Sequence, residues 1–215
     1  MGEGPGVRAE SVSFFISFEG IDGCGKTTQL QRLREHLTSI GYTVITTREP
    51  GGTALAEAIR NYLLHSPQPL GSRTELLLFG AARAQHVDEL IRPALERGEV
   101  VLSDRFADSS VAYQGGGLGL PLDFVRRMNA FATDGLQPHI TFLLDVDPAI
   151  GQQRRLREKE DRIEGRGLEF QERVRAAYLE MAQAEPERIV TVDATPSPEE
   201  IHRHILQALW QHGLL

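Results

Sequence analysis

The sequence predicts an α/β domain in which a parallel sheet carries helices on both faces. Three observations predict it. Five short apolar, β-rich runs, at 13–18, 43–47, 100–103, 140–145 and 189–192, each have the length of a buried strand. Helix-like sequence separates each run from the next, and that alternation implies crossover connections between parallel strands. A glycine-rich loop, Gly20 to Thr27, joins the first strand to the first helix.

The elements follow in order. The first strand and its loop lead into an amphipathic helix over 27–37. More than fifty residues separate the second strand from the third, and they read as helices over 53–64 and 72–96. A further helix over 122–132 precedes the fourth strand. Asp147-Pro148 then opens another, with Asp as the cap and Pro at the first helical position. After the fifth strand, Ser197-Pro198-Glu199-Glu200 starts the terminal helix. With no internal repeat and no low-complexity linker, the expectation is one domain over 13–215 behind a Gly-rich, flexible tail over 1–12.

Composition narrows the function. The 215 residues carry 23 Lys+Arg against 30 Asp+Glu, a net charge of −7. Only Lys26 and Lys159 among those cations are lysines. An acidic balance argues against a general nucleic-acid binder, which needs basic surface, but not against a small phosphorylated substrate held by a few cations in a cleft. The single cysteine, Cys24, excludes an intramolecular disulfide and a cysteine-based zinc site. No apolar run is long enough to span a membrane, and the first ten residues do not look like a signal peptide. A soluble, cytoplasmic protein is the expectation.

Gly20-Ile21-Asp22-Gly23-Cys24-Gly25-Lys26-Thr27 matches G-x-x-x-x-G-K-[ST] between a strand and a helix. The glycines let successive N–H groups converge on one anion, and the helix adds its positive end. Lys26 is placed to reach the β- and γ-phosphates, and the Thr27 hydroxyl to ligate Mg²⁺. Cys24 is read as a small filler, with a redox role as the alternative, since a helix N-terminus lowers thiol pKa. A nucleoside triphosphate site follows. A GTPase loses its main support, because neither asparagine, Asn61 or Asn129, begins a guanine-reading Asn-Lys-x-Asp. A motor ATPase and a regulatory nucleotide-binding module stay open on the loop alone.

Three further groups of residues concern a second ligand. Arg48 ends the second strand, before Glu49-Pro50-Gly51-Gly52-Thr53, at the sheet edge where ligands gather. Read alone, Arg48-Glu49 is a surface ion pair. Phe79 and Arg83 stand four apart on one helix face, a ring and a planar donor fork that suit a pyrimidine. The plainer alternative is a core Phe and a solvated Arg. Asp104 ends the third strand, where an acidic residue near Mg²⁺ or an attacking phosphate is usual, and Arg105 beside it can grip a phosphate. Ser109, Ser110, Tyr113 and Gln114 offer hydrogen bonds to a base and sugar, or make an ordinary polar loop.

Five motifs in this order and spacing resemble the bacterial thymidylate kinase family. They are Phe18 to Thr28, Thr47 to Thr53, Asp104-Arg105-Phe106, Ala112 to Gly117 and Asp161-Arg162-Ile163-Glu164. The resemblance runs from about Ser13 through nearly the whole chain. It implies a P-loop fold of the nucleoside monophosphate kinase type, a five-stranded parallel sheet wrapped in helices, usually as a homodimer. It implies ATP binding by Gly20, Ile21, Asp22, Gly23, Cys24, Gly25, Lys26, Thr27 and Thr28, with Mg²⁺ near Thr27 and Asp104. It implies that Phe79 stacks on thymine, that Arg83 bonds its carbonyl, and that Ser110 and Gln114 contact the base edge. Tyr113 would lie beneath the sugar, Asp22 would hold the 3′-hydroxyl, and Arg48 and Arg105 would grip the acceptor phosphate.

Gly23 stands where some members of the family carry a phosphate-loop arginine, which resembles the type in which a mobile lid supplies that cation. The mixed-charge run Gln153 to Arg166 reads in isolation as a solvated helix. With the resemblance it reads as a lid over about 151–167. Arg154 and Arg157 are the chosen lid arginines, Glu164 is placed on the acceptor side, and adenine is expected against Val192-Asp193-Ala194. The reaction implied is dTMP + ATP → dTDP + ADP, with Lys26, Arg105, Asp104 and the lid arginines catalytic. A kinase for another monophosphate or a deoxynucleoside, and a regulator without catalysis, are the alternatives.

Overall fold

The computed structural model describes residues 13–155 and 162–215. Residues 1–12, read above as a tail, and residues 156–161 of the expected lid lie outside the described residues.

Five strands, β1 (Phe15–Glu19), β2 (Val44–Arg48), β3 (Val100–Asp104), β4 (Ile140–Asp145) and β5 (Ile189–Asp193), form one parallel sheet in the order β2-β3-β1-β4-β5. This is the α/β fold class expected. Alternation along the strands divides the core. Phe14, Ile16, Phe18, Val100 and Leu102 belong to one apolar cluster, while Phe15 and Val101 belong to another with Val87, Ile91, Ala94 and Phe106. Apolar residues on both faces are what a sheet buried between helical layers requires.

The first helix, α1 (Lys26–Ser39), starts at Gly25, which adopts a φ of 95° open mainly to glycine, and buries Leu30, Leu33 and Leu37. α2 (Ala54–His65) is capped by Thr53, whose hydroxyl accepts from the Ala56 N–H. α3 (Ser72–His86) runs through a π-helical turn, Val87–Ile91, into α4 (Arg92–Glu96), so the predicted 72–96 helix is a continuous path with one widened turn. α5 (Ala107–Ser110) continues as a π-helical turn, Val111–Gly117, where the alternative sequence reading was a polar loop. Its glycines permit close packing: a Cβ on Gly117 would come within 2.5 Å of the Phe170 ring.

The predicted 122–132 helix is α6 (Leu122–Ala132). Asp147 caps α7 (Pro148–Arg155) by accepting from Ala149. A short 3₁₀ turn, Glu164–Arg166, precedes α8 (Leu168–Ala184), which the sequence reading did not delimit. Ser197 and Glu200 make a reciprocal capping box at α9 (Pro198–Gln211).

The pairing register sets up the site. Arg48 lies opposite Asp104, Asp104 opposite Phe18, and Glu19 opposite Leu143. The carboxyl ends of β2, β3 and β1 therefore finish level, at the edge where open α/β sheets bind ligands.

Candidate active site

Two adjoining pockets occupy that edge. The larger is lined by the loop from Asp22 to Thr28 and by Arg48, Asp104, Arg105 and Arg154. The smaller is lined by Pro50, Leu64, Phe79, Ser109, Ser110, Tyr113, Gln114 and Ile163. Asp22, Glu49, Arg60 and Arg105 line both, so the two form one continuous cleft.

The loop holds itself in shape. Lys26 is buried, and its Nζ donates to the carbonyls of Ile21 at 3.0 Å and Gly20 at 3.3 Å. The Thr27 hydroxyl donates to Asp104 Oδ2 at 2.7 Å. Gly23 packs flush on α7: a Cβ there would overlap the Gly151 carbonyl, and a Cβ on Gly151 would come within 2.7 Å of the Asp22 carbonyl oxygen. Cys24 is fully buried, and burial pushes its thiol pKa up despite the nearby Lys26 and Arg105 charges. The filler reading holds.

Arg105 is the hub. It has a φ of +73°, rare for a side-chain-bearing residue. Its Nη2 donates to Asp22 Oδ1 at 2.5 Å and to the Tyr113 hydroxyl at 3.0 Å, and its Nη1 to the Gly20 carbonyl at 3.0 Å. The guanidinium lies 4.9 Å over the Tyr113 ring. Tyr113 and Gln171 both donate to Asp22 Oδ2.

Beneath the hub lies Glu19, which the sequence reading passed over as a flank of the loop. It is buried and accepts from the Phe106 N–H and from the Ser109 and Tyr178 hydroxyls, each at 2.6 Å. Burial raises its pKa to about 7; Asp108 adds to the rise, while Arg105, Ser109 and Tyr178 oppose it.

Glu49 and Arg83 depart from the simplest readings. Arg48 pairs with Glu57 at 3.0 Å on the surface rather than with Glu49. Glu49 turns inward, accepting from Arg83 Nε at 2.8 Å and meeting His86 Nδ1 at 3.1 Å. Arg83, the alternative solvated arginine, is 1% exposed. It also donates to Asn129 Oδ1, the Ser110 hydroxyl and the Phe106 carbonyl. It stands behind the small pocket, while Phe79 on the same helix helps line it. Its fork braces Ser110, which does line the pocket.

Glu75 is a second residue that the sequence reading missed. It is buried, and it accepts from Gln114 Nε2 at 3.0 Å, from Arg162 at 2.8 Å and from Arg166 at 3.1 and 2.5 Å. Arg162 and Arg166 lie at the C-terminal end of the expected 151–167 lid, so that limb is anchored on α3. Of the chosen lid arginines, Arg154 lines the cleft and donates to the Ala194 and Thr195 carbonyls, beside the expected adenine position. Arg157 lies outside the described residues, as does the side chain of Glu164. Arg60 was also missed; it lines both pockets and donates to the Pro50 carbonyl at 3.0 Å. Its signal was weak, an arginine in the middle of an amphipathic helix.

A phosphate-binding loop at the switch of a parallel sheet, opening onto a second pocket lined by aromatic rings, hydroxyls and an amide, defines the P-loop nucleotide kinases as a class. The family model described as thymidylate kinase matches residues 18–205. The thymidylate kinase of Bifidobacterium longum strain DJO10A is 53% identical over 191 residues, 87% of this chain and 92% of its own. That of Deinococcus radiodurans is 48% identical over 204 residues, covering 94% of this chain and 99% of its own. The crystal structure of thymidylate kinase from Ehrlichia chaffeensis superposes with a TM-score of 0.77 at 38% identity, covering 92% of this chain and 99% of that one. The chain belongs to the thymidylate kinase family.

Proposed function

We propose that the protein transfers the γ-phosphoryl group of ATP to dTMP, giving dTDP and ADP, with Mg²⁺. The continuity of the cleft carries the reading. Arg105 and Asp22 belong to both pockets, so one set of charges faces a donor on the loop and an acceptor beside Phe79 and Gln114.

The loop's fit to a triphosphate rests on its cradle of N–H groups and on Lys26, whose ammonium lies against the loop's own carbonyls, ready to turn to phosphate oxygens. Thr27 and Asp104 offer two hard oxygens 2.7 Å apart, which suit Mg²⁺. Among the described residues no three His, Cys, Asp or Glu side chains gather into a metal site. A Mg²⁺ ion at Thr27 and Asp104 would therefore complete its shell with water and phosphate, supplying neutralisation of the transferred charge. Phe79 stacks on the base and Gln114 and Ser110 meet its edge, while Arg83, expected to bond the base carbonyl itself, stands behind the pocket and acts through Ser110. Tyr113 underlies the sugar, and Asp22 holds its 3′-hydroxyl. Arg105 and Arg48 draw in the acceptor phosphate. That phosphate is already anionic, so no strong base is required, and catalysis is positioning plus charge neutralisation. Arg154 and Arg157 are the proposed lid cations, and Glu164 belongs to the acceptor side.

The same reading includes one domain over 13–215, a cytoplasmic location and a homodimer. Among the described residues no helix is long and apolar enough to cross a membrane. The packed helices α3 and α6 leave Leu77, Phe124 and Phe131 exposed, and those apolar side chains support a second copy as partner.

The test is ADP release over a panel of nucleoside monophosphates and nucleosides, with and without Mg²⁺. Turnover of dTMP above dUMP, UMP and CMP is expected, together with a fall of about 100-fold or more in Lys26→Ala. Equal use of CMP and dTMP would defeat the substrate assignment. Release of no ADP from any acceptor would defeat the kinase assignment.

A further inference from the structure

Gln114 lines the small pocket, yet half of its amide is already committed. Its Nε2 donates to Glu75 Oε1 at 3.0 Å, while Oε1 makes no hydrogen bond among the described residues. An amide can swap its two ends with little change of shape, so a partner decides which end faces a ligand. We propose that Glu75 is a specificity-determining positioning residue: by accepting from Gln114 Nε2 it fixes Oε1 toward the base. The pocket then takes a pyrimidine with an N3–H donor and refuses one whose N3 is an acceptor.

The argument depends on Glu75 being unable to donate. Burial opposes its ionisation, but Arg166, Gln114 and Arg162 outweigh burial and hold its pKa below the ordinary range. An ionised carboxylate only accepts, so Gln114 has one orientation available. The two arginines also divide the oxygens. Oε2 takes Arg162 Nη2 and Arg166 Nη2, while Oε1 takes Gln114 and the longer contact from Arg166 Nη1. In Glu75→Gln the carbonyl oxygen would stay where both arginines point, which leaves the NH₂ facing Gln114. Gln114 would then turn, accept through Oε1 and present Nε2 to the base. That pocket offers a donor, which suits the N3 of cytosine.

This deepens the proposed function and rests on its placing of a thymine beside Gln114. The experiment measures kcat/KM for dTMP and dCMP in the unaltered enzyme and in Glu75→Gln. In the variant, the dTMP:dCMP ratio is expected to fall by about tenfold or more, since one hydrogen bond in a desolvated pocket is made wrong. The change should lie mainly in KM. A loss equal for both substrates, or an unchanged ratio, overturns the proposal, because a purely structural role moves both alike. A measurement on the unaltered enzyme does not depend on the variant folding. N3-methylated dTMP, which lacks the donor, should neither turn over nor inhibit at concentrations where dTMP saturates, and its use at the rate of dTMP overturns the proposal. No preference for dTMP over dCMP in the unaltered enzyme would instead locate the failure in the substrate assignment.

Discussion

Arg105 holds Asp22 at 2.5 Å across the floor of the cleft, and it does so from a backbone φ of +73°. A side-chain-bearing residue in that region carries strain of order 1 kcal/mol, kept only where its surroundings over-determine it. Here the Gly20 carbonyl, Asp22 and two tyrosine hydroxyls all fix the guanidinium. A lysine keeps the charge but cannot reproduce the fork. Arg105→Lys should therefore lower kcat/KM for dTMP by about 100-fold. Steady-state kinetics within threefold of the unaltered enzyme would remove Arg105 from the mechanism.

Glu49 neutralises Arg83 where both side chains are buried. Removing it leaves a buried guanidinium with neutral partners only. Glu49→Ala should lower unfolding free energy by about 3–5 kcal/mol in urea titration. A loss below about 1 kcal/mol would show that the pair's surroundings relax freely.

Glu19 makes stability depend on pH with a definite sign. Its folded pKa, about 7, lies above the ordinary glutamate value of 4.5. Between those values the folded state binds more protons than the unfolded one, so this group's contribution weakens as pH rises from about 4.5 to about 7 and is constant outside that window. Melting temperatures of the protein and of Glu19→Gln should diverge across the window, with the variant showing the flatter profile. Parallel profiles would contradict the raised pKa.

Cys24 should be inert in the native protein. It is buried and its thiol pKa is raised, so thiolate is scarce at neutral pH. Ellman's reagent at pH 7.5 is expected to titrate it only after denaturation. Stoichiometric labelling within minutes under native conditions would restore a redox role.

What the sequence made legible follows from how local each signal is. The phosphate loop is eight consecutive residues whose chemistry is self-contained, so pattern and context sufficed. Capping at Asp147 and Ser197 is local in the same way. The networks that give the second pocket its shape are not. Glu49 meets Arg83 across 34 residues, Gln114 meets Glu75 across 39, and Glu19 meets Tyr178 across 159. No spacing rule encodes such pairs, so Arg83 and Phe79 were readable as a helix face while the carboxylates behind them were not. The first strand was placed two residues early at its start and one residue early at its end, because apolarity does not say which residue begins the ladder with β3.

The contact between Gly23 and Gly151 bears on how this enzyme can evolve. Gly23 excludes a side chain because of the Gly151 carbonyl, and Gly151 because of the Asp22 carbonyl, so the loop and α7 change together or not at all. An arginine introduced at position 23 would have no volume to enter without prying α7 away from the phosphate loop. A lineage built this way cannot gain a phosphate-loop arginine at position 23 by one substitution. The intermediate would be damaged in both places, which separates the two arrangements by a valley rather than a step.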